Sequence, residues 1–371
     1  MNYSIRVATT LMLAALPPCF MTGQAGAAGV DLSASCPSPF IVQLDWFPQA
    51  EHGYLFNVLG DGYTIDKKNM VAHGKLVAEG KDTGITLELR SGGAPIAGMG
   101  TNKVMYIDPA INMAVLSHYD LALGYRVAPM ISVLAPFEKN PVSIMWDPPT
   151  YPDVHTIKDI KDKNIVVNVS PYASYPKYLV TLGQLSESQI DRSFDSSPAR
   201  FIAAKGKIAQ QALATVDPYN YEHTYKEWGK PIKYQLIDDA GFHAYFETLA
   251  IRSADLEKLR PCLKLLVPLL QQSMIDYAKN PKSANEKIVD MVKKIDSYWR
   301  YPIDKAAYSA KAQLDLGMVS NGNDSTFGNF DKGVVDGMMD ILRRSGEHLP
   351  DDLTSDKTYT NEFVDKSIGF K

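Results

Sequence analysis

Phe40-Ile41-Val42-Gln43-Leu44-Asp45-Trp46-Phe47-Pro48-Gln49-Ala50-Glu51-His52-Gly53-Tyr54 runs from a strand through a loop into the start of a helix. Phe40 to Leu44 is rich in branched and aromatic side chains, a β-type run. Pro48 stops regular pairing, and Gln49 to Gly53 are polar and flexible before Tyr54-Leu55-Phe56 resumes an apolar pattern. A Trp-Phe pair at the carboxyl end of a strand, followed by a His at a helix start, directs two ring faces and one titratable group at a shared spot. In an open α/β sheet that spot is where ligands bind. A core Trp with a surface His is the alternative, and spacing alone leaves the two level.

The N-terminal residues speak to compartment. Arg6 is the only charge there, Val7 to Leu16 is apolar, and Ala25-Gly26-Ala27 is a small-x-small cleavage site. Residues 1–27 therefore read as a secretory signal peptide, too short and wrongly flanked for a membrane span. Pro17-Pro18 immediately before Cys19 does not suit lipoprotein processing, so a soluble, periplasmic protein is expected. Cleavage removes one of 38 Lys and Arg and none of 42 Asp and Glu, leaving a mildly acidic chain. That balance argues against nucleic acid or anionic membrane as partner. Most of 371 residues is too long for one core and suits two lobes. Cys36 and Cys262 remain after cleavage. In an oxidising compartment they suggest one disulfide, with a free buried pair as the alternative. Two cysteines and no His-rich spacing give no reason to expect a metal site.

The patterning alternates strands and helices. A helix is expected from His52 to Gly62, then a polar surface excursion over Thr64–Asp82, then a strand with Ile85, Leu87 and Leu89 facing inward. Ser91-Gly92-Gly93 closes it with a turn able to offer N–H groups to an acidic ligand. Further strands are expected at Leu121–Arg126, Met130–Ala135 and Val142–Trp146. The proline-rich Asp147–Asp153 reads as a linker, followed by a strand at Ile165–Val169, a helix opened by Ser170-Pro171, a helix at Pro198–Ala204 and a strand at Ala212–Val216. Ile232–Leu236 and Thr248–Ile251 look like return strands. Beyond Ser253 the chain reads helical, with Pro261 and Pro268 as interruptions and Asp331 as a cap. The chain thus leaves lobe one (28–140), builds lobe two (141–235) and returns (236–371), which makes a hinge with a cleft.

The chain has no Gly-x-Ser-x-Gly elbow, no His-Glu-x-x-His, no phosphate loop and no dinucleotide fingerprint. Predicted strand ends instead carry aromatic and small polar residues: Trp46, Phe47, Ser91, Gly92, Gly93, Trp146, Ser170, Tyr172, Tyr175, Ser197 and Tyr219. Such an inventory fits capture of a planar ligand better than conversion, so neither catalysis nor a cofactor is expected. His52 is a site candidate or a structural polar residue. Asp120 and Asp217 contact a ligand or cap the next helix. Arg200 grips an acidic ligand or pairs with Asp195.

The export signal, Leu44-Asp45-Trp46-Phe47-Pro48 with His52-Gly53, the glycine turn and the two-crossing chain resemble the NMT1/THI5-like family of ABC-transporter solute-binding proteins. The resemblance spans about residues 40–345 and is strongest at 41–56. It implies a type II periplasmic-binding-protein fold, α/β in class, with two lobes of mixed sheets joined by a two-crossing hinge. It also implies a monomer that closes on a small aromatic or heteroaromatic molecule, pyrimidine-like or an aromatic acid, and docks on a membrane permease. Trp46 and His52 would then lie in the first-lobe site with Ser91 to Gly93, and Tyr172 and Tyr175 would face them. The Thr64–Asp82 insert departs from the family pattern. A pyrimidine-synthesis enzyme of the same superfamily and a sensory ligand-binding module are the competing readings.

Overall fold

The computed structural model describes residue 1 and residues 29–371, and the structural statements concern those residues. The expected signal peptide, apart from residue 1, and its expected cleavage site lie outside them. Six strands are laid down first: β1 (Phe40–Gln43), β2 (Thr64–Asp66), β3 (Val71–Ala78), β4 (Lys81–Arg90), β5 (Met113–Leu116) and β6 (Met130–Leu134). Five more follow: β7 (Val142–Trp146), β8 (Val167–Asn168), β9 (Ile190–Asp191), β10 (Ala209–Leu213) and β11 (Lys233–Leu236). The chain then returns through β12 (Thr248–Arg252). The order in the larger sheet is β2-β3-β4-β1-β5-β12-β6, and in the smaller β11-β7-β10-β8-β9. Both sheets mix parallel and antiparallel pairs, so the protein is a two-lobed α/β molecule.

β1 is the middle strand of the larger sheet, buried along its whole length and parallel to β4 and β5. An apolar run without alternation is what a strand covered on both faces requires. β4 alternates instead, with Ile85, Leu87 and Leu89 inward. Two segments connect the sheets, residues 135–141 and 237–247. They run side by side: Phe137 bridges Phe246, and Lys139 Nζ donates to Asp239 Oδ1 at 2.9 Å. Two adjacent connections at one edge leave rotation of the lobes as the soft motion.

Several sequence expectations need correcting. Thr64–Asp82 is no loose excursion but the β2–β3 hairpin that widens the sheet, with Ala72 and Leu76 buried. In place of a strand at Leu121–Arg126 there is the end of a helix, His118–Gly124, and a turn, because the buried run just before it, Met113–Leu116, already supplies the strand. Asp147–Asp153 is a turn within the second lobe, where Tyr151 N–H returns to the Asp147 carbonyl and Thr150 bonds the Asp147 carboxylate. The helix after Ser170 begins at Tyr175, with Pro176 in its first turn, and the strand expected at Ala212–Val216 is β10, three residues earlier. The helix expected over 52–62 is a single 3-10 turn, Ala50–His52, running into Gly53–Asn57. Helix Leu256–Lys279 runs unbroken through Pro261 and Pro268, held by the buried stripe Leu259, Leu263, Leu266, Leu270 and Met274.

Helix Gly53–Asn57 packs on that long helix so closely that a Cβ on Gly53 would lie 2.0 Å from the Tyr277 ring. Helix Lys332–Arg344, capped by Asp331, packs Val335, Met338, Met339 and Leu342 into the second core beside Tyr178 and Phe242. Cys36 and Cys262 are joined by a disulfide across 226 residues, fixing the segment before β1 to the long helix. Closing so long a loop restricts the unfolded chain, an effect worth about 2–5 kcal/mol. Replacing both cysteines by serine is therefore expected to lower the urea midpoint in proportion, measured by tryptophan fluorescence; an unchanged midpoint would contradict this.

Candidate functional site

The carboxyl ends of β1 and β4 meet in one place because a buried glutamine ties them. Gln43 Nε2 lies 3.1 Å from the Leu44 carbonyl, 3.1 Å from that of Arg90 and 3.2 Å from that of Ser91. The loop after β1 then crosses the glycine turn. Gly93 has φ 76°, and a Cβ there would sit 1.6 Å from the Asp45 carbonyl oxygen, so only glycine fits. Gly92 N–H donates to the Trp46 carbonyl at 3.2 Å. The turn thus spends this N–H on holding the Asp45–Trp46 loop.

Above this floor is a cavity of about 560 Å³. Asp45, Trp46 and Gly93 line one wall, Asn102 and Lys103 a second, Ser117 and Asp120 a third, and Tyr172 reaches in from the other lobe. Trp46 is half-buried and held edge-on against Phe47 and Trp299, with centroids 6.2 and 6.0 Å away. Tyr172 is 91% exposed, so its ring is open to the cavity. Enclosure by the walls, with the Asp45 charge, pushes the Asp120 carboxyl up to about 7. Its side chain is nevertheless exposed to water in the open cleft, so solvent screens it and the shift is smaller than full enclosure would give.

Directly beneath Asp45 is a buried acidic cluster. His52 Nε2 lies 2.9 Å from Asp45 Oδ1 and 3.9 Å from Glu247 Oε2. Glu51 accepts a 2.5 Å hydrogen bond from Thr215 Oγ1, which belongs to the segment after β10 and so joins the two lobes. Burial pushes the carboxyl groups of Glu51 and Glu247 upward, most strongly Glu247, and the Asp45 charge adds to both. Glu51 Oε2, Glu247 Oε2, His52 Nδ1, Tyr54 Oη and Ser91 Oγ are buried with no hydrogen-bond partner.

The predicted site residues divide. Trp46, Gly93, Asp120 and Tyr172 line the cavity, while Ser91, Gly92 and His52 lie in its floor or below it. Phe47 stacks on Trp299 behind the wall. Trp146 is buried in the second core, and Tyr175 donates to Gln211 Oε1 at 3.0 Å. Ser170 opens on a smaller cavity of about 350 Å³, lined from the second lobe and sharing Tyr172 with the cleft cavity. Ser197 turns back onto Asp195, Asp217 accepts from Leu213 N–H, and Tyr219 donates to Asp304. Arg200 pairs with Asp191, neither with Asp195 nor with the cavity. The sequence reading missed Asp45, Asn102, Ser117, Glu51 and Glu247. Asp45 had a legible signal, a carboxylate next to Trp46 at a strand end. Glu247, with φ 46° just before β12, had none, because only the returning chain brings it to His52. A second cavity, about 640 Å³, lies between residues 29–30, the β3–β4 turn and the long helix; all of its lining comes from the first lobe, so lobe closure cannot act on it.

No protein-family model matches the chain, and no curated protein sequence does. Solved structures do match. The periplasmic aliphatic sulphonate binding protein SsuA from Escherichia coli is 12% identical, covering 87% of this chain and 92% of that one, with a TM-score of 0.57. The periplasmic nitrate-binding protein NrtA from Synechocystis PCC 6803 is 10% identical over 87% and 86%, TM-score 0.54. The ligand-binding component of an ABC-type import system from Staphylococcus aureus, with zinc bound, is 12% identical over 87% and 97%, TM-score 0.54. The chain shares with them the two-lobed periplasmic-binding-protein fold.

Gly93→Ala is expected to lower the melting temperature by several degrees, since the new Cβ must displace the Asp45 carbonyl or the turn. A melting curve unchanged within one degree would contradict this.

Proposed function

We propose that this protein is an exported solute-binding protein of an ABC importer that captures a small, planar, basic molecule by lobe closure. One observation carries the ligand class: Asp45 and Asp120 share a cavity with Trp46, and Tyr172 approaches from the opposite lobe. A flat ring sits between two aromatic faces, and a protonated nitrogen is drawn to the carboxylates. Lys103, an exposed side chain, is the one basic residue lining the cavity among the described residues, and no arginine lines it. An aromatic acid is therefore disfavoured, and an amino-heterocycle of pyrimidine type fits the same walls. The structural neighbours are named for sulphonate, nitrate and zinc, so a shared fold does not choose the ligand.

Capture would proceed from the open form. A ligand docks on the Trp46 face, the lobes rotate about residues 135–141 and 237–247, and Tyr172 covers it. The closed form is the one a permease would read. Delivery from the periplasm agrees with the signal-like residues 1–27. Among the described residues no helix is long and apolar enough to cross a membrane.

Benzamidine and benzoate have the same shape and opposite charge. Benzamidine is expected to raise the melting temperature and benzoate to leave it unchanged, while Trp46→Ala and Asp120→Asn each weaken benzamidine at least tenfold, about 1.4 kcal/mol, by calorimetric titration. Stabilisation by benzoate and not by benzamidine would overturn the ligand class.

Charge also sets a pH window. The folded Asp120 carboxyl is raised above its unfolded value of about 3.9, so its stabilising effect is complete below that value and is lost as pH rises through the raised folded value, at most about 7. A bound cation favours the ionised form. Benzamidine affinity is therefore expected to rise between pH 5.5 and 7.5 in the wild type and to stay flat in Asp120→Asn; a fall with pH would contradict this. The groups facing Asp120 in the cavity are Asp45, Lys103 and Tyr172.

A further inference from the structure

We propose that Asp45, His52 and Glu247 form a binding site for one divalent first-row transition ion of the Zn²⁺ class at the floor of the cleft. One ligand atom from each lies within 4.8 Å of the other two. His52 Nε2 is 2.9 Å from Asp45 Oδ1 and 3.9 Å from Glu247 Oε2. Ligand bonds of about 2.1 Å place neighbouring donor atoms roughly 3.0–3.4 Å apart. The two separations from His52 bracket that spacing, and binding would draw Glu247 inward toward the other two donors.

An independent observation points to an occupant. Glu247 Oε2 is buried, has no hydrogen-bond partner and faces the His52 nitrogen, in a residue only 1% exposed. Glu51, also buried, adds a further carboxyl whose Oε2 is unpartnered. A buried carboxyl oxygen without a partner is costly, and a cation between Asp45 and Glu247 supplies one. One imidazole and two carboxylates suit Zn²⁺, Mn²⁺, Fe²⁺ or Co²⁺; Ca²⁺ and Mg²⁺ prefer oxygen alone. Entry is open, because Asp45 is partly exposed and lines the cavity while the other two lie beneath it.

The site goes beyond the solute-capture reading and adds a coupling to it. Asp45 faces both the ion and the organic cation, so the two share one carboxylate. Each therefore weakens the other, and by linkage to the same factor. Glu247 stands at the end of the second connection between the lobes, so the ion also ties the β1 loop to the hinge.

The test uses the whole protein, stripped with a chelator and free of organic ligand. Zn²⁺ is titrated in competition with a chromophoric chelator, and the ion is counted by native mass spectrometry. One ion per chain is expected, bound at least tenfold more weakly by His52→Ala and by Glu247→Gln but equally by Arg200→Ala. Co²⁺ should give visible absorption that changes in His52→Ala. Glu247→Gln is nearly isosteric, and circular dichroism establishes that it is folded should His52→Ala not be. Saturating Zn²⁺ should weaken benzamidine at least fivefold. No stoichiometric ion, or an ion held equally by wild type and Glu247→Gln, would overturn the site. Failure of benzamidine to bind stripped protein would instead count against solute capture and leave the ion count standing.

Discussion

Burial of Glu51, His52 and Glu247 beneath Asp45 is the constraint around which the molecule is arranged. Several carboxyl groups taken out of water and placed together cannot all stay ionised cheaply. The fold tolerates them because the surroundings are fixed. Gln43 locks the ends of β1 and β4, Gly93 lets the Asp45 loop pass, and Thr215 bonds Glu51 from the second lobe. A frame of that stiffness holds negative charge in place at the mouth of a cleft, where a mobile site would let it relax into solvent.

The same cluster sits where the lobes articulate. Glu247 ends the second connecting segment, and Thr215 follows the strand that crosses the second sheet. Electrostatics at the floor and rotation of the lobes therefore act on one set of residues. Trp46 is set by first-lobe packing, whereas the exposed Tyr172 ring is free to approach. A rigid wall on one lobe and an open ring on the other is the asymmetry that closure on a flat molecule calls for.

Much of this was legible in the chain. The branched and aromatic run Phe40–Leu44 announced a strand, and Trp46 with the glycine turn marked its carboxyl end as a candidate site. Local patterning failed where tertiary contacts decide. The two prolines of the long helix looked like breaks, yet a buried stripe on one face carries the helix through them. The polar hairpin over 64–82 looked like a loop because its strands lie at the sheet edge, where only one face is covered. Arg200, Asp217 and Tyr219 looked like ligand contacts, but each has an acidic or backbone partner in its own neighbourhood. Glu247 was invisible, since its meaning comes from a residue far back in the chain.

The central claim is that the cleft selects positive charge through Asp45 and Asp120, with the Asp120 carboxyl raised toward neutral pH in the open state. Proton release on binding tests it most directly. Titrating benzamidine calorimetrically near pH 6.5 in buffers of different ionisation enthalpy gives the number of protons exchanged from the slope. The account predicts net release, abolished in Asp120→Asn, because a bound cation lowers the carboxyl pKa. Proton uptake, or a slope of zero with binding intact, would contradict it.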